Sequence, residues 1–245
     1  MSKLTFQDIV DQYNAILEES RKLDYFVRDK VLQENQISKL DKFRLQLKGY
    51  KQQAVSLSDE ESANRFYHLQ CVINAQISSL RIWVSLKNDK ANDAWVNLID
   101  AQEYIVYAIQ SSDQHFGIDD FAERLRKIEN VVFPGFPLYN SLGLVFSGGV
   151  CSICDKPLEE CDHIEGRIYW GRICQRIGIS HLEVNHSAIV SVPKDRRCII
   201  TEIETDDGQM KDYITWKLLG PAEKKEEKGK HLKGIMFSYK GLDIY

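Results

Sequence analysis

Three thiols and an imidazole fall within thirteen residues of this chain, as Cys151-Ser-Ile-Cys154 followed by Cys161-Asp-His163. The residue types and their spacing suit a tetrahedral zinc site. A CxxC turn converges two sulfurs on one point. Residues i and i+2 of an extended segment share a side, so Cys161 and His163 can close the cage. Four protein ligands leave no open coordination position, which is the pattern of a structural metal rather than a catalytic one. Cys174 offers a fifth donor. The intervening Arg167-Ile-Tyr-Trp-Gly171 reads as a strand and turn that would bring it back, so the fourth ligand is either His163 or Cys174. A catalytic zinc would need water and a nearby base such as Glu159, Glu160 or Glu165. With three thiolates already donating charge, the metal would be a poor Lewis acid.

Other reactive side chains are less well placed. His186-Ser187 resembles a base and a nucleophile, but neighbours on a strand point to opposite faces and cannot pair. His181 is read with His186 as part of a half-buried strand. Ser147 sits in Phe146-Ser-Gly-Gly149, which does not match the GxSxG elbow; its glycines serve a turn entering the cysteine-rich loop. Around that loop Arg167, Tyr169, Trp170, Arg172 and Arg176 are the candidate binding residues, since arginine and aromatic side chains dominate contact hot spots. The same residues would serve a zinc-knuckle nucleic-acid binder, with Tyr169 or Trp170 stacking on bases.

Two kinds of element must position this chemistry. From Thr5 to about Val132 the apolar period is helical. Phe6, Ile9, Tyr13 and Ile16 form one stripe, and Ile37, Leu40, Phe43 and Leu47 a second. Phe66, Leu69, Ile73, Ile77, Leu80 and Val84 mark a long helix, with Ser58 and Glu61 before it as a capping box. A fourth helix carries Trp95, Leu98, Ile99, Ile105 and Ile109, and a shorter one spans Asp119 to Asn130. The segment is expected to be a helical bundle with a surface for self-association or a protein partner. Pro134-Gly-Phe-Pro137 ends it, giving expected domains at 1–133 and 138–245.

The remainder reads as strand, so the fold class is α+β: a helical bundle followed by a small, mainly antiparallel, zinc-stapled β domain. Leu182 to Val192 alternates as a half-buried strand stopped by Pro193. Arg197–Thr205 and Lys211–Leu218 flank a turn at Asp206-Asp-Gly208, and Pro221–Lys233 reads as a solvated loop. The apolar tail from Gly234 to Tyr245 is expected to add a final strand.

Composition narrows the class further. An apolar content of 43% with 28% charged residues describes a globular protein rather than a disordered one. The net charge of −4 carries no overall electrostatic footprint for nucleic acid, although Arg167, Arg172, Arg176, Lys194, Arg196 and Arg197 give the second half a local basic patch. The N-terminus lacks the apolar core of a signal peptide, and no window approaches the ~18 apolar residues of a membrane span. The expected location is the cytoplasm. There, closely spaced cysteine and histidine read as metal ligands rather than disulfides, and Cys71 and Cys198 as small buried hydrophobes.

The run Leu144-Val-Phe-Ser-Gly-Gly-Val-Cys151-Ser-Ile-Cys154, then Glu160-Cys161-Asp-His163-Ile-Glu-Gly166, Tyr169, Gly171 and Cys174, resembles a cysteine-rich segment of some tailed-phage prohead-protease-like proteins. The likeness continues into Leu182-Glu-Val-Asn-His-Ser187 and Val190-Ser-Val-Pro193, so it covers residues 144–193. It implies a phage-related origin and, in the family, a serine–histidine protease on a β-barrel. Helices occupy the place of the earlier barrel portion here. Ser147 matches the family serine only loosely, and no residue maps onto its histidine. The expected function is therefore a non-enzymatic, zinc-binding interaction protein of phage or bacterial-defence type. Nucleic-acid binding and a divergent protease, with Ser147 or Ser187 as nucleophile, are the alternatives.

Overall fold

The computed structural model describes residues 5–24, 27–112, 117–136, 138–223 and 229–238. Five helices come first: α1 Phe6–Arg21, α2 Lys30–Ser56, α3 Glu60–Lys87, α4 Ala91–Gln110 and α5 Ile118–Val132. Strands follow as β1 Tyr139–Cys151, β2 Ile168–Tyr169, β3 Arg172–Ile173, β4 Arg176–Val190, β5 Ile200–Glu204, β6 Gln209–Asp212, β7 Leu218–Pro221 and β8 Leu232–Gly234. The fold class is α+β, as expected.

The first three helices start where side chains satisfy free backbone donors. Thr5 accepts the Asp8 N–H while the Asp8 carboxylate accepts the Thr5 N–H at 2.7 Å, a reciprocal box that opens α1. At α3 the expected cap shifts by one residue. Ser58 adopts a left-handed φ of 56°, and Asp59 instead accepts the Ser62 N–H at 3.0 Å. Aspartate in that position caps as well as serine and adds a charge suited to the helix dipole.

α3 lies between α2 and α4 and is the centre of the bundle. The stripe Phe66, Leu69, Ile73, Ile77 and Leu80 is buried, and so are Gln70, Asn74, Gln76, Ser78 and Ser79 on its other sides. Two of these, Gln76 and Ser79, join a network around Asp24, which follows α1. The Asp24 carboxylate accepts from Gln76 at 3.2 Å and from Ser79 at 3.3 Å, and Arg124 of α5 stands 3.5 Å away. Burial pushes the Asp24 carboxyl above its ordinary value, against the opposing pull of Arg124, Gln76 and Ser79.

The strands form three separate sheets: a ribbon of β1 and β4, a hairpin of β2 and β3, and a four-stranded sheet in the order β7-β6-β5-β8. Gly143 faces the His186 ring and Gly148 faces Ser180, so β1 and β4 run antiparallel. The alternation in β4 does not mark a half-buried strand. Leu182 and Val184 are more than half exposed, as is Val145 on β1. A two-stranded ribbon has no second layer to cover either face, so alternation alone cannot create burial.

In the four-stranded sheet β5 pairs antiparallel with both β6 and β8. The expected strand Lys211–Leu218 is broken: Asp212 accepts the N–H groups of Ile214 and Thr215, which turns the chain before β7. Leu232 and Lys233, expected in a solvated loop, belong to β8. The last residue of that strand is Gly234, where a Cβ would lie 2.3 Å from the Asn140 amide and 2.7 Å from the Ile199 carbonyl. Ile199, Ile200, Met210 and Tyr139 are buried against this sheet. Pro137, most of the acidic and basic run after Glu223, and the tail from Tyr239 fall outside the described residues.

The chain forms two compact units that interleave along the sequence. Among the described residues, one comprises 5–126 and 150–177; the other comprises 127–149 and 178–238. The cysteine-rich loop therefore packs with the helices, whereas the division expected at Pro134–Pro137 grouped it with the strands. No described helix is long and apolar enough to cross a membrane.

Candidate metal centre

The site is built from a turn, an extended segment and a hairpin. At the end of β1 the Cys151 N–H donates to the Lys156 carbonyl at 2.7 Å, and the Asp155 N–H returns to the Cys151 carbonyl at 2.9 Å. Asp155 takes a left-handed φ of 57°, which lets the CxxC turn close. Inside the turn the Ile153 N–H points at Cys151 Sγ, 3.4 Å away.

A second set of bonds brings the far end of the loop back. The β2–β3 hairpin returns the chain through Trp170-Gly171, and the Cys174 N–H donates to the Arg167 carbonyl at 2.7 Å. Ser152 then fastens turn to hairpin. Its N–H donates to the Gln175 carbonyl at 2.9 Å, its hydroxyl donates to the Ile173 carbonyl at 3.0 Å, and the same hydroxyl accepts the Gln175 N–H.

The result is a cluster of donors. Ligand atoms of Cys151, Cys154, Cys161 and His163 all lie within 4.8 Å of one another. Cys174 stands beside them, its Sγ 3.7 Å from that of Cys151. A Zn–S bond of about 2.3 Å in tetrahedral geometry gives an S···S edge of about 3.8 Å, so this group of residues fits a metal of that size. His163 Nδ1 is buried without a hydrogen-bond partner, and the ring packs edge-on against Tyr169 at 4.6 Å. A buried nitrogen with no other partner beside thiols is suited to ligation. All six cysteines are free thiols.

Electrostatics favour a thiolate at one corner. Burial raises the Cys151 thiol, but the N–H groups of Ile153 and Cys154, with the Cys174 and Cys154 thiols, pull it down to about 6. Cys174 is pushed up to about 12 by burial first, then by its bond to Cys151 and by the charges of Cys151, Cys161 and Glu165. Cys161 is also raised by burial and by its cysteine neighbours. Crowded thiolates repel one another, and a divalent cation among them removes that repulsion.

The loop docks on α3 through its hairpin turn. The Trp170 N–H donates to Glu60 Oε1 at 3.1 Å and the Gly171 N–H to Asn64 Oδ1 at 2.7 Å. Gly171 is buried at a φ of 66°, and a Cβ there would lie 2.7 Å from the Ala63 carbonyl. Glu60 and Asn64 were not among the residues singled out in the sequence. Trp170-Gly171 is recognisable as a turn, but no local pattern links it to a helix a hundred residues away.

The candidate binding residues divide. Arg176 is ion-paired with Glu159 at 2.7 Å, and the Tyr169 hydroxyl accepts the Ile164 N–H, so both brace the loop. Arg167 is exposed, and Trp170 and Arg172 line a cleft beside α2. The protease alternative finds no constellation. Ser147 and Ser187 make no hydrogen bond to histidine among the described residues, and Ser180 donates to the Ser147 carbonyl. Ser111 Oγ lies 3.3 Å from His68 Nδ1, yet both groups face the Ala108 carbonyl, at 2.8 and 2.9 Å. That carbonyl requires Nδ1 to be the donor and leaves no lone pair there to activate the serine.

No protein-family model, curated protein or solved structure is significantly similar to this chain, so its function is argued from this geometry.

Proposed function

We propose that this chain is a non-enzymatic binding protein whose loop 151–175 is stapled by one zinc ion. Cys151, Cys154, Cys161 and His163 would hold it, with Cys174 as the alternative to His163. The observation that carries the reading is the mutual proximity of four ligand atoms in a loop with little other means of support. Zinc bound there would supply folding energy rather than a reactive water, because four protein ligands close its coordination shell.

The docking of Trp170 and Gly171 on α3 supports a presenting role: a rigid loop holds Arg167, Trp170 and Arg172 in a defined place on the helical unit. A self-association or protein-partner surface on the helical bundle is part of the same proposal. The likeness of residues 144–193 to a phage segment supports a phage-related or bacterial-defence setting. Amide hydrogen exchange with and without chelator tests the staple. Protection across 151–175 should disappear on chelation while that of α3 and α4 remains. Unchanged protection in the loop would refute the reading.

A further inference from the structure

α2 and the β2–β3 turn enclose a cleft of about 410 Å³ within the helical unit. Its lining is Lys48, Lys51, Gln52 and Val55 from one face of α2, opposite Trp170 and Arg172 from the turn. The four α2 residues recur at i, i+3, i+4 and i+7, so they share one side of the helix. Lys48, Arg172 and an indole line this space, and no carboxylate does. Glu60, the acid that touches this turn, instead holds the Trp170 N–H.

We propose that this cleft binds a nucleotide, with the base against Trp170 and the 5′-phosphate held by Lys48 and Arg172. The volume falls within the range of roughly 300–1,000 Å³ typical of small-molecule sites. Lys51 is only 3% exposed, its ammonium lying 5.2 Å from the centre of the Tyr67 ring. That ammonium is buried over the ring, so Lys51 gives the cleft wall its methylene stem beside Gly171 rather than its charge. Arg172 adds a planar fork suited to phosphate. Gln52 offers both a donor and an acceptor to a base edge. Trp170 occupies the left-handed region at a φ of 52°, a costly conformation for a bulky residue. Its backbone bond to Glu60 and the close approach of Gly171 to α3 hold the indole at the cleft. Aromatic stacking tolerates any base, whereas the cations demand the phosphate.

The proposal rests on the metal-stapled loop, because that loop supports the turn. The same chemistry is offered by a free nucleoside monophosphate and by the phosphorylated end of a single strand. The test is calorimetric titration of zinc-loaded protein with AMP, UMP, inorganic phosphate and a 5′-phosphorylated oligothymidylate. Zinc content and melting are measured on each preparation, so failure of the staple is seen separately. Both monophosphates should bind at least about tenfold more tightly than inorganic phosphate, a gap of about 1.4 kcal/mol. Arg172→Gln and Lys48→Met should each weaken them by about tenfold or more with zinc content unchanged. A further gain with the oligonucleotide assigns the site to strand ends; equal affinity assigns it to free nucleotides. No nucleotide binding by zinc-loaded protein, equal binding of inorganic phosphate, or affinity untouched by both substitutions would overturn the proposal.

Discussion

α3 and the loop 151–175 are neighbours held by opposite means. α3 buries Ile73, Leu80 and Ile82 completely between other helices. The loop buries Cys151, Ile173, Cys174, Ser152 and Gly171 and leaves Ile164 more than half exposed. One region is stabilised by apolar area removed from water, the other by a few backbone bonds and a cluster of side chains that could hold a metal ion. Hydrophobic packing spreads its contribution over many side chains. A metal site concentrates it in four, so each is far more sensitive to change.

That contrast can be broken most forcefully at a ligand. Cys161→Ser should abolish high-affinity zinc binding, removing most of a binding free energy on the order of 10 kcal/mol or more in structural zinc sites. Circular dichroism should still show the helices, and calorimetry should show their unfolding transition. In the bundle, Trp95→Ala should cost about 3–5 kcal/mol in urea unfolding, since Trp95 is almost wholly buried on α4. Zinc binding measured well below the new midpoint should persist.

Gly171→Ala probes the junction. Its Cβ would meet the Ala63 backbone from a left-handed conformation, so docking should weaken by about 1–3 kcal/mol, read as faster amide exchange at 168–173. The smallest expected effect is at Asp24. Its folded-state carboxyl is raised above its ordinary value of 3.8, so the folded state favours the proton. Stability from this group is present below that ordinary value and declines as pH rises through the raised one. Asp24→Asn should flatten that decline in urea midpoints measured upward from about pH 4, without altering zinc content.

The two regions also differed in what could be read from the chain. Leu40, Phe43 and Leu47, or Phe66 through Leu80, announce a helix because burial repeats with the backbone period. The cysteine spacing announced a donor cluster because CxxC geometry is local, and the hairpin expected to return Cys174 does so. Two other features were not legible for physical reasons. Leu182 and Val184 alternate like a buried face, but exposure depends on whether another layer covers the strand. Glu60 and Asn64 look like ordinary residues at a helix start, and only the folded chain brings them to Trp170 and Gly171. The cleft beside Lys48 is of the same kind: its α2 residues and its indole lie far apart in sequence.

Metal content per chain is the most direct measurement, made by elemental mass spectrometry on native protein and on Cys154→Ser and His163→Ala. The account predicts one zinc per native chain that survives dialysis, its loss in Cys154→Ser, and its loss or ready exchange in His163→Ala. Native protein free of metal after purification and zinc reconstitution, or zinc held equally well by Cys154→Ser, would contradict it.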